Sequence, residues 1–133
     1  MLTSAVPLFL VSDAQASATW YRDKLGFDFD RIWGEPPIFA ILRRDAIELM
    51  LKECPEGVRP HGQVTTETWD AYVRVRDIEE LRRELSQRGA AIRRGPERMI
   101  YHCVELEVVG PDATRCASLN PTSPGALPCR CAG

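Results

Sequence analysis

One pattern occurs twice in this chain, and it limits the available folds more than any other feature. An apolar run from Pro7 closes on Val11-Ser12-Asp13 and gives way to a helical stretch. Val75-Arg76-Asp77 does the same 64 residues later. The helical stretches stop at Gly26 and Gly89, 63 residues apart. Strand candidates follow each stop, so a unit of strand, helix and three strands recurs, the second copy fraying near its end. One such unit covers only the sheet face beneath its helix. Two units packed together are therefore expected, rather than two independent domains.

Local signals support the repeat. Residues 7–11 form a short apolar run that suits a buried strand. Ser12 or Asp13 can cap the helix, and Ser12 with Gln15 has capping-box spacing. The helix carries Ala14, Ala18, Trp20, Tyr21 and Leu25, then ends at Gly26. Trp20 and Tyr21 read as packing residues. Strands are expected at 27–33, 38–42 and 46–52, with Arg43-Arg44-Asp45 as a tight turn. In the second half, Ala71, Val73 and Val75 alternate onto one strand face. Asp77 and Glu80 form a capping box ahead of the stripe Ile78, Leu81 and Leu85. The arginines of that helix alternate with Glu79, Glu80 and Glu84, which reads as a solvated face. Further strands are expected at 91–94 and 104–109. After the Gly110-Pro111-Asp112 turn a returning apolar strand should follow. Ala-Thr-Arg-Cys-Ala-Ser comes instead, so the last strand is expected to be weak.

The chain has 133 residues, 44% apolar and 27% charged, with a net charge of −2. That is an ordinary globular composition with no bulk attraction to nucleic acid. No apolar run approaches the ~20 residues of a membrane span, and the first residues lack the charged and apolar regions of a signal peptide. A cytoplasmic location is expected. The five cysteines, at 54, 103, 116, 129 and 131, show no paired C-x-x-C spacing. Cys129 and Cys131 read as tail thiols rather than as half a zinc site.

The stretches "VPLFLVSDAQASATWYRDKLGFDF", "FAILRRDAIELMLKE", "WDAYVRVRDIEELRRELSQRGA" and "CVELEVVGPD" carry a family resemblance. Together they resemble the vicinal oxygen chelate superfamily, also called the glyoxalase/bleomycin-resistance/dioxygenase superfamily, and its metal-free, bleomycin-resistance-like members above all. The resemblance implies an α+β fold of two βαβββ modules that form an open, incompletely closed barrel around a cleft, the last strand degraded. It implies a single domain of paired modules over 1–112. Module one is placed at about 5–53, a linker at about 54–68 and module two at about 69–119. An irregular or disordered tail is expected over 120–133. A homodimer with clefts built across the subunit interface is also implied. The chain departs from the family at Ala113, where the family turn carries glycine.

Catalytic members of the family hold a divalent metal through one side chain from each of four strands. Counting from the aspartate after each module's first strand places these positions at Val6, Glu48, Asp70 and Ala117. Two of the four cannot ligate and no imidazole remains. A weak divalent metal held by two carboxylates is conceivable, but a tight transition-metal site is not expected, so no cofactor is assigned. His61 and His102 read as surface histidines. By strand alternation Glu48 and Met50 share a face, as do Asp70, Tyr72 and Arg74. If these faces register as in the family, the cleft carries Glu48, Met50, Asp70, Tyr72, Arg74 and Glu105, with Trp33 on a bordering loop. That would make it acidic and partly aromatic, suited to a cationic, partly planar ligand. The plainer reading of Glu105 and Glu107 is a solvated strand face.

Three functions follow. The first is a small-molecule binding protein that sequesters its ligand in a dimer cleft without metal, with no nucleic-acid or membrane partner. The second is a lyase, isomerase or dioxygenase with Glu48 as ligand or general base. The third is a non-catalytic regulatory module.

Overall fold

The computed structural model describes residues 1–65, 68–100, 103–113 and 115–121, with Gly62 and 115–121 described by backbone alone. The elements run β1 (Leu8–Val11), α1 (Ala14–Leu25), β2 (Ile32–Trp33), β3 (Phe39–Arg44), β4 (Ile47–Glu53), α2 (His61–Val64), β5 (Ala71–Arg74), α3 (Ile78–Gln87), β6 (Ile92–Arg98), β7 (Cys103–Val109) and β8 (Arg115–Pro121). They form two four-stranded sheets, ordered β1-β4-β3-β2 and β5-β8-β7-β6. In each sheet the first strand runs parallel to the fourth and the others are antiparallel. Neither sheet closes on itself. The expected βαβββ unit is present twice.

The helices begin where the sequence signals place them. The Asp13 carboxylate accepts from the Ala16 N–H at 2.9 Å, and Asp77 accepts from the Glu80 N–H at 2.9 Å. Each satisfies a donor that the first helical turn leaves without a partner. Asp13, not Ser12, is the cap of α1. Gly26 ends α1 at φ 70°, a conformation that a Cβ would strain. The buried face of α1 is Ala14, Ser17, Ala18, Tyr21 and Leu25, at helical spacing. It packs on Phe9, Val11, Ala40, Leu42, Leu49 and Leu51 in one cluster that also takes in Ile78, Leu85, Leu106 and Val108 of the second unit. Leu42 and Leu51 are wholly buried, so truncating either to alanine costs about 2–5 kcal/mol.

Among the described residues, further contacts join the units beyond this shared core, including Arg88 at the end of α3, which donates to the Arg22 and Asp23 carbonyls at 3.4 Å. Arg44 reaches from the end of β3 to the Leu25 carbonyl and to Glu84 on α3, both at 2.6 Å. The Ser12 N–H donates to Asp112 Oδ2 at 3.0 Å. Trp20 lies against Gly110 so closely that a Cβ there would come within 3.2 Å of the indole. Burial pushes the Glu84 carboxyl up, but hydrogen bonds and charge from Arg44 and Arg88 outweigh it and hold the group below the ordinary carboxylate range.

Several expectations change. Residues 27–33 are strand only at Ile32–Trp33, with a single bridge between Asp28 and Arg43. The linker contains the short helix α2. The last strand forms: every residue of β8 pairs with β7, and β8 also runs beside β5. It fills the place between two strands whose N–H and C=O groups would otherwise lack partners, and this backbone requirement outweighs its irregular side-chain pattern. The turn before it is taut. Asp112 and Ala113 both adopt the left-handed conformation, at φ 58° and φ 59°. Glycine would hold the second at no steric penalty, whereas alanine costs about 1 kcal/mol there. Strand β8 thus extends into the segment expected as tail, and residues 122–133, with Cys129 and Cys131, lie outside the described residues. Cys103 is fully buried and disulfide-bonded.

Candidate functional site

Each sheet buries one face against its helix, and strand alternation sends the remaining side chains to the opposite, open face. On the first sheet, cross-strand register forms rows. Leu8, Met50 and Ile41 make one; Leu10, Lys52, Phe39 and Trp33 make the next; Glu48 and Arg43 make a third. Leu8, Leu10 and Trp33 are 50%, 48% and 44% exposed, an unusual position for three large apolar groups on one sheet. Arg31 stacks its guanidinium 3.4 Å from the Trp33 ring centre. Arg43 Nε donates to Glu48 at 2.8 Å.

The open face of the second sheet has a different chemistry. Tyr72 and Arg74 project from β5, and Glu105 and Glu107 from β7. Both glutamates are buried, at 2% and 3% exposure, which overturns the solvated reading. The Tyr72 hydroxyl donates to Glu105 at 2.5 Å. Arg93 donates to Glu107 at 2.8 Å, and Arg94 lies 3.5 Å from Glu105 and 3.8 Å from Glu107. Two buried carboxyl groups need cations and donors at hand. Trp69 packs on Tyr72 with ring centres 5.1 Å apart, so the tyrosine is held at both its ring and its hydroxyl.

The acidic cleft expected from the sequence is therefore electrically compensated. Glu48 is matched by Arg43, and Glu105 and Glu107 by Arg93 and Arg94. Asp70, whose side chain is only 10% exposed, accepts from the His61 N–H at 3.0 Å. Of the expected site residues, Glu48, Met50 and Trp33 share the first open face, and Tyr72, Arg74 and Glu105 the second. Asp70 stands beside the linker instead, in the wall of a groove of about 390 Å³ next to β1. Leu8, Leu10, Arg59, Pro60 and His61 also line that groove. His61 Nδ1 lies 3.1 Å from the Trp69 carbonyl oxygen. His102 lies outside the described residues.

Sequence reasoning passed over Leu8, Leu10, Phe39 and Ile41, and it missed Lys52, Arg93 and Arg94. The alternation that places Glu48 and Met50 on the open face places Lys52 there too. The Arg93-Arg94 pair facing Glu105 and Glu107 across a hairpin is a cross-strand charge match.

The residues do not fit the divalent metal of the catalytic relatives. Val6 and Ala117 offer no donor, Glu48 is engaged by Arg43, and Asp70 is turned to the linker backbone. Among the described residues no three His, Cys, Asp or Glu side chains converge. Among the same residues no helix is long and apolar enough to cross a membrane.

Comparison with solved structures shows the same architecture elsewhere. A bleomycin resistance determinant encoded on the transposon Tn5 superposes with a TM-score of 0.73 at 21% identity, covering 92% of this chain and 100% of that one. A bleomycin-binding protein complexed with bleomycin gives 0.70 at 20% identity, covering 90% and 98%. The bleomycin-binding protein of Streptomyces verticillus, complexed with copper(II)-bleomycin, gives 0.67 at 21% identity, covering 92% and 98%. At these identities the likeness establishes the fold. No curated protein sequence matches the chain. The sequence pattern of one family matches residues 5–112, nearly the whole described chain, and the protein belongs to the glyoxalase/bleomycin resistance protein/dioxygenase superfamily.

Proposed function

We propose that the protein binds a small organic molecule, without a metal, in a cleft between two copies. The apolar open face of one copy's first sheet would meet the open face of the partner's second sheet. One observation carries this reading: Leu8, Leu10 and Trp33 stand exposed together on a face that no other described residue covers. Such a patch marks a surface that is closed by a ligand, a partner or both. Bleomycin-binding neighbours with the same fold add support for a small-molecule ligand. The carboxylates that suggested a cationic ligand are matched by arginines or held by a backbone donor. The ligand is thus assigned a planar, apolar body, and its charge must come from the residues left over. The enzyme reading lacks a donor set for metal, and its candidate base, Glu48, is held by Arg43.

Sedimentation combined with a titration of tryptophan fluorescence by 2-naphthalenemethanol, a neutral planar probe, tests the proposal. A dimer that binds the probe is expected, and Leu10→Asp should produce a folded monomer that no longer binds it. A wild-type protein that stays monomeric at about 100 µM, or that shows no response to millimolar probe, overturns the reading.

A further inference from the structure

The apolar face of the first sheet carries a cation with no counter-charge among the described residues. Lys52 sits opposite Leu10 on one side and Phe39 on the other, and Phe39 sits opposite Trp33. It is one of only two lysines in the chain; the other, Lys24, is on α1. Of the other charges at the face, Arg43 and Glu48 pair with each other, and Arg31, stacked on Trp33, is a further cation without an ion pair among the described residues. Among the described residues no carboxylate pairs with Lys52.

The groove beside β1 repeats the imbalance. Arg59 lines it with Leu8 and Leu10 and has no ion pair among the described residues. Asp70, the carboxylate in the same wall, is nine-tenths covered and already accepts a backbone N–H. The Leu8–Leu10 strip is thus flanked by Lys52 on β4 and by Arg59 in the linker. The open face of a partner's second sheet would not correct this. Its glutamates are buried against Arg93 and Arg94, and the charges it leaves at least partly exposed include Arg74, Arg93 and Arg94, all positive.

We propose that this strip takes a small organic anion, an aromatic carboxylate. Its ring would lie against Leu10, Phe39 and Trp33, and its carboxylate would meet Lys52, with Arg59 beside it. The inference rests on the small-molecule reading above and adds the charge of the ligand. A bare inorganic anion would leave the leucine and aromatic side chains without a role. A ligand cation would place like charge on Lys52 and gain no free carboxylate. The apolar surroundings strengthen the pairing, because fewer waters compete for the ammonium.

The test compares three probes with the same naphthyl ring and substituents of different charge: 2-naphthoate, 2-naphthalenemethanol and 2-naphthylmethylammonium, each titrated against tryptophan fluorescence. Naphthoate should bind about tenfold tighter than the neutral alcohol, the gain expected of one charge-assisted contact. The ammonium compound should bind weakest. Lys52→Gln should erase the naphthoate preference while leaving binding of the alcohol within about twofold, and Lys24→Gln should leave the whole series unchanged. Raising the salt should weaken naphthoate alone. As a second readout, bound naphthoate should shield Lys52 from acetylation relative to Lys24 in the unsubstituted protein. Tighter binding of the ammonium probe, or a naphthoate preference that survives Lys52→Gln, overturns the charge assignment and leaves the small-molecule reading standing. No response to any of the three overturns both.

Discussion

At a spacing of 64 residues, the two units can be compared side chain by side chain. On the helix-facing side, Phe9 corresponds to Val73, Val11 to Val75 and Leu42 to Leu106, apolar for apolar each time. On the open side, Leu8 corresponds to Tyr72, Leu10 to Arg74 and Ile41 to Glu105. The fold thus holds one face of each sheet to a single chemistry, because a helix must pack there, and leaves the other face free to diverge. In this protein the free faces have become an apolar plate and a buried charge network. The proposed function uses both: the apolar plate would supply the ligand's contacts, and the other face, from a second copy, would close over it.

The sharpest way to break that contrast is to truncate matched positions. Glu105→Ala should cost about 3 kcal/mol in urea unfolding, since it strips the Tyr72 hydroxyl of its acceptor and leaves Arg94 with less counter-charge. Ile41→Ala, its counterpart on the half-exposed apolar plate, should cost about 1 kcal/mol. Equal losses would mean that the glutamate is no more structural than the isoleucine. A smaller effect of opposite sign should come from Ala113→Gly. Relieving the left-handed alanine before β8 should stabilise the protein by about 1 kcal/mol, read as a higher melting temperature. No gain would mean that the turn is relaxed as it stands. The smallest effect concerns the clamp between the units. The Glu84 carboxyl lies below its ordinary value in the folded state, so its stabilisation is fully present above the unfolded value near 4.5 and is lost as pH falls through the folded one. Glu84→Gln should therefore flatten the acid limb of a stability–pH profile below about pH 4.5 while leaving its neutral plateau lower by less than about 1 kcal/mol. An unchanged acid limb would remove Glu84 from the account.

The sequence displayed the half of this comparison that repeats. Asp13 and Asp77, Gly26 and Gly89, and the alternation of Ala71, Val73 and Val75 are local signals, and they place both helices and most strands. The open faces were legible only as faces. Glu105 and Glu107 alternate with apolar residues as solvated glutamates do, and their burial depends on Tyr72, Arg93 and Arg94, which come from two other strands. Neighbouring residues in sequence carry no trace of that. Strand β8 was hidden for a related reason. Its pairing partners, β5 and β7, demand a strand there, while its own residues barely suggest one. Residues 27–31 err the other way, since apolar Phe27 and Phe29 resemble a strand but serve chiefly as packing around Tyr21 and Arg22.

The hydrogen bond from Ser12 to Asp112 spans 100 residues of chain, and Trp20 rests on Gly110 in the same region. Ser12 just precedes the first helix and Trp20 lies within it, yet their partners are synthesised only after most of the second unit. The amino-terminal half can assemble its own sheet and helix early, but it cannot complete its seam until the chain has been made almost to its last strand. Closing so long a loop is slow relative to forming the local hairpins. The two halves should therefore ripen separately and lock last at this seam, and an opening there would expose the shared core before either sheet comes apart.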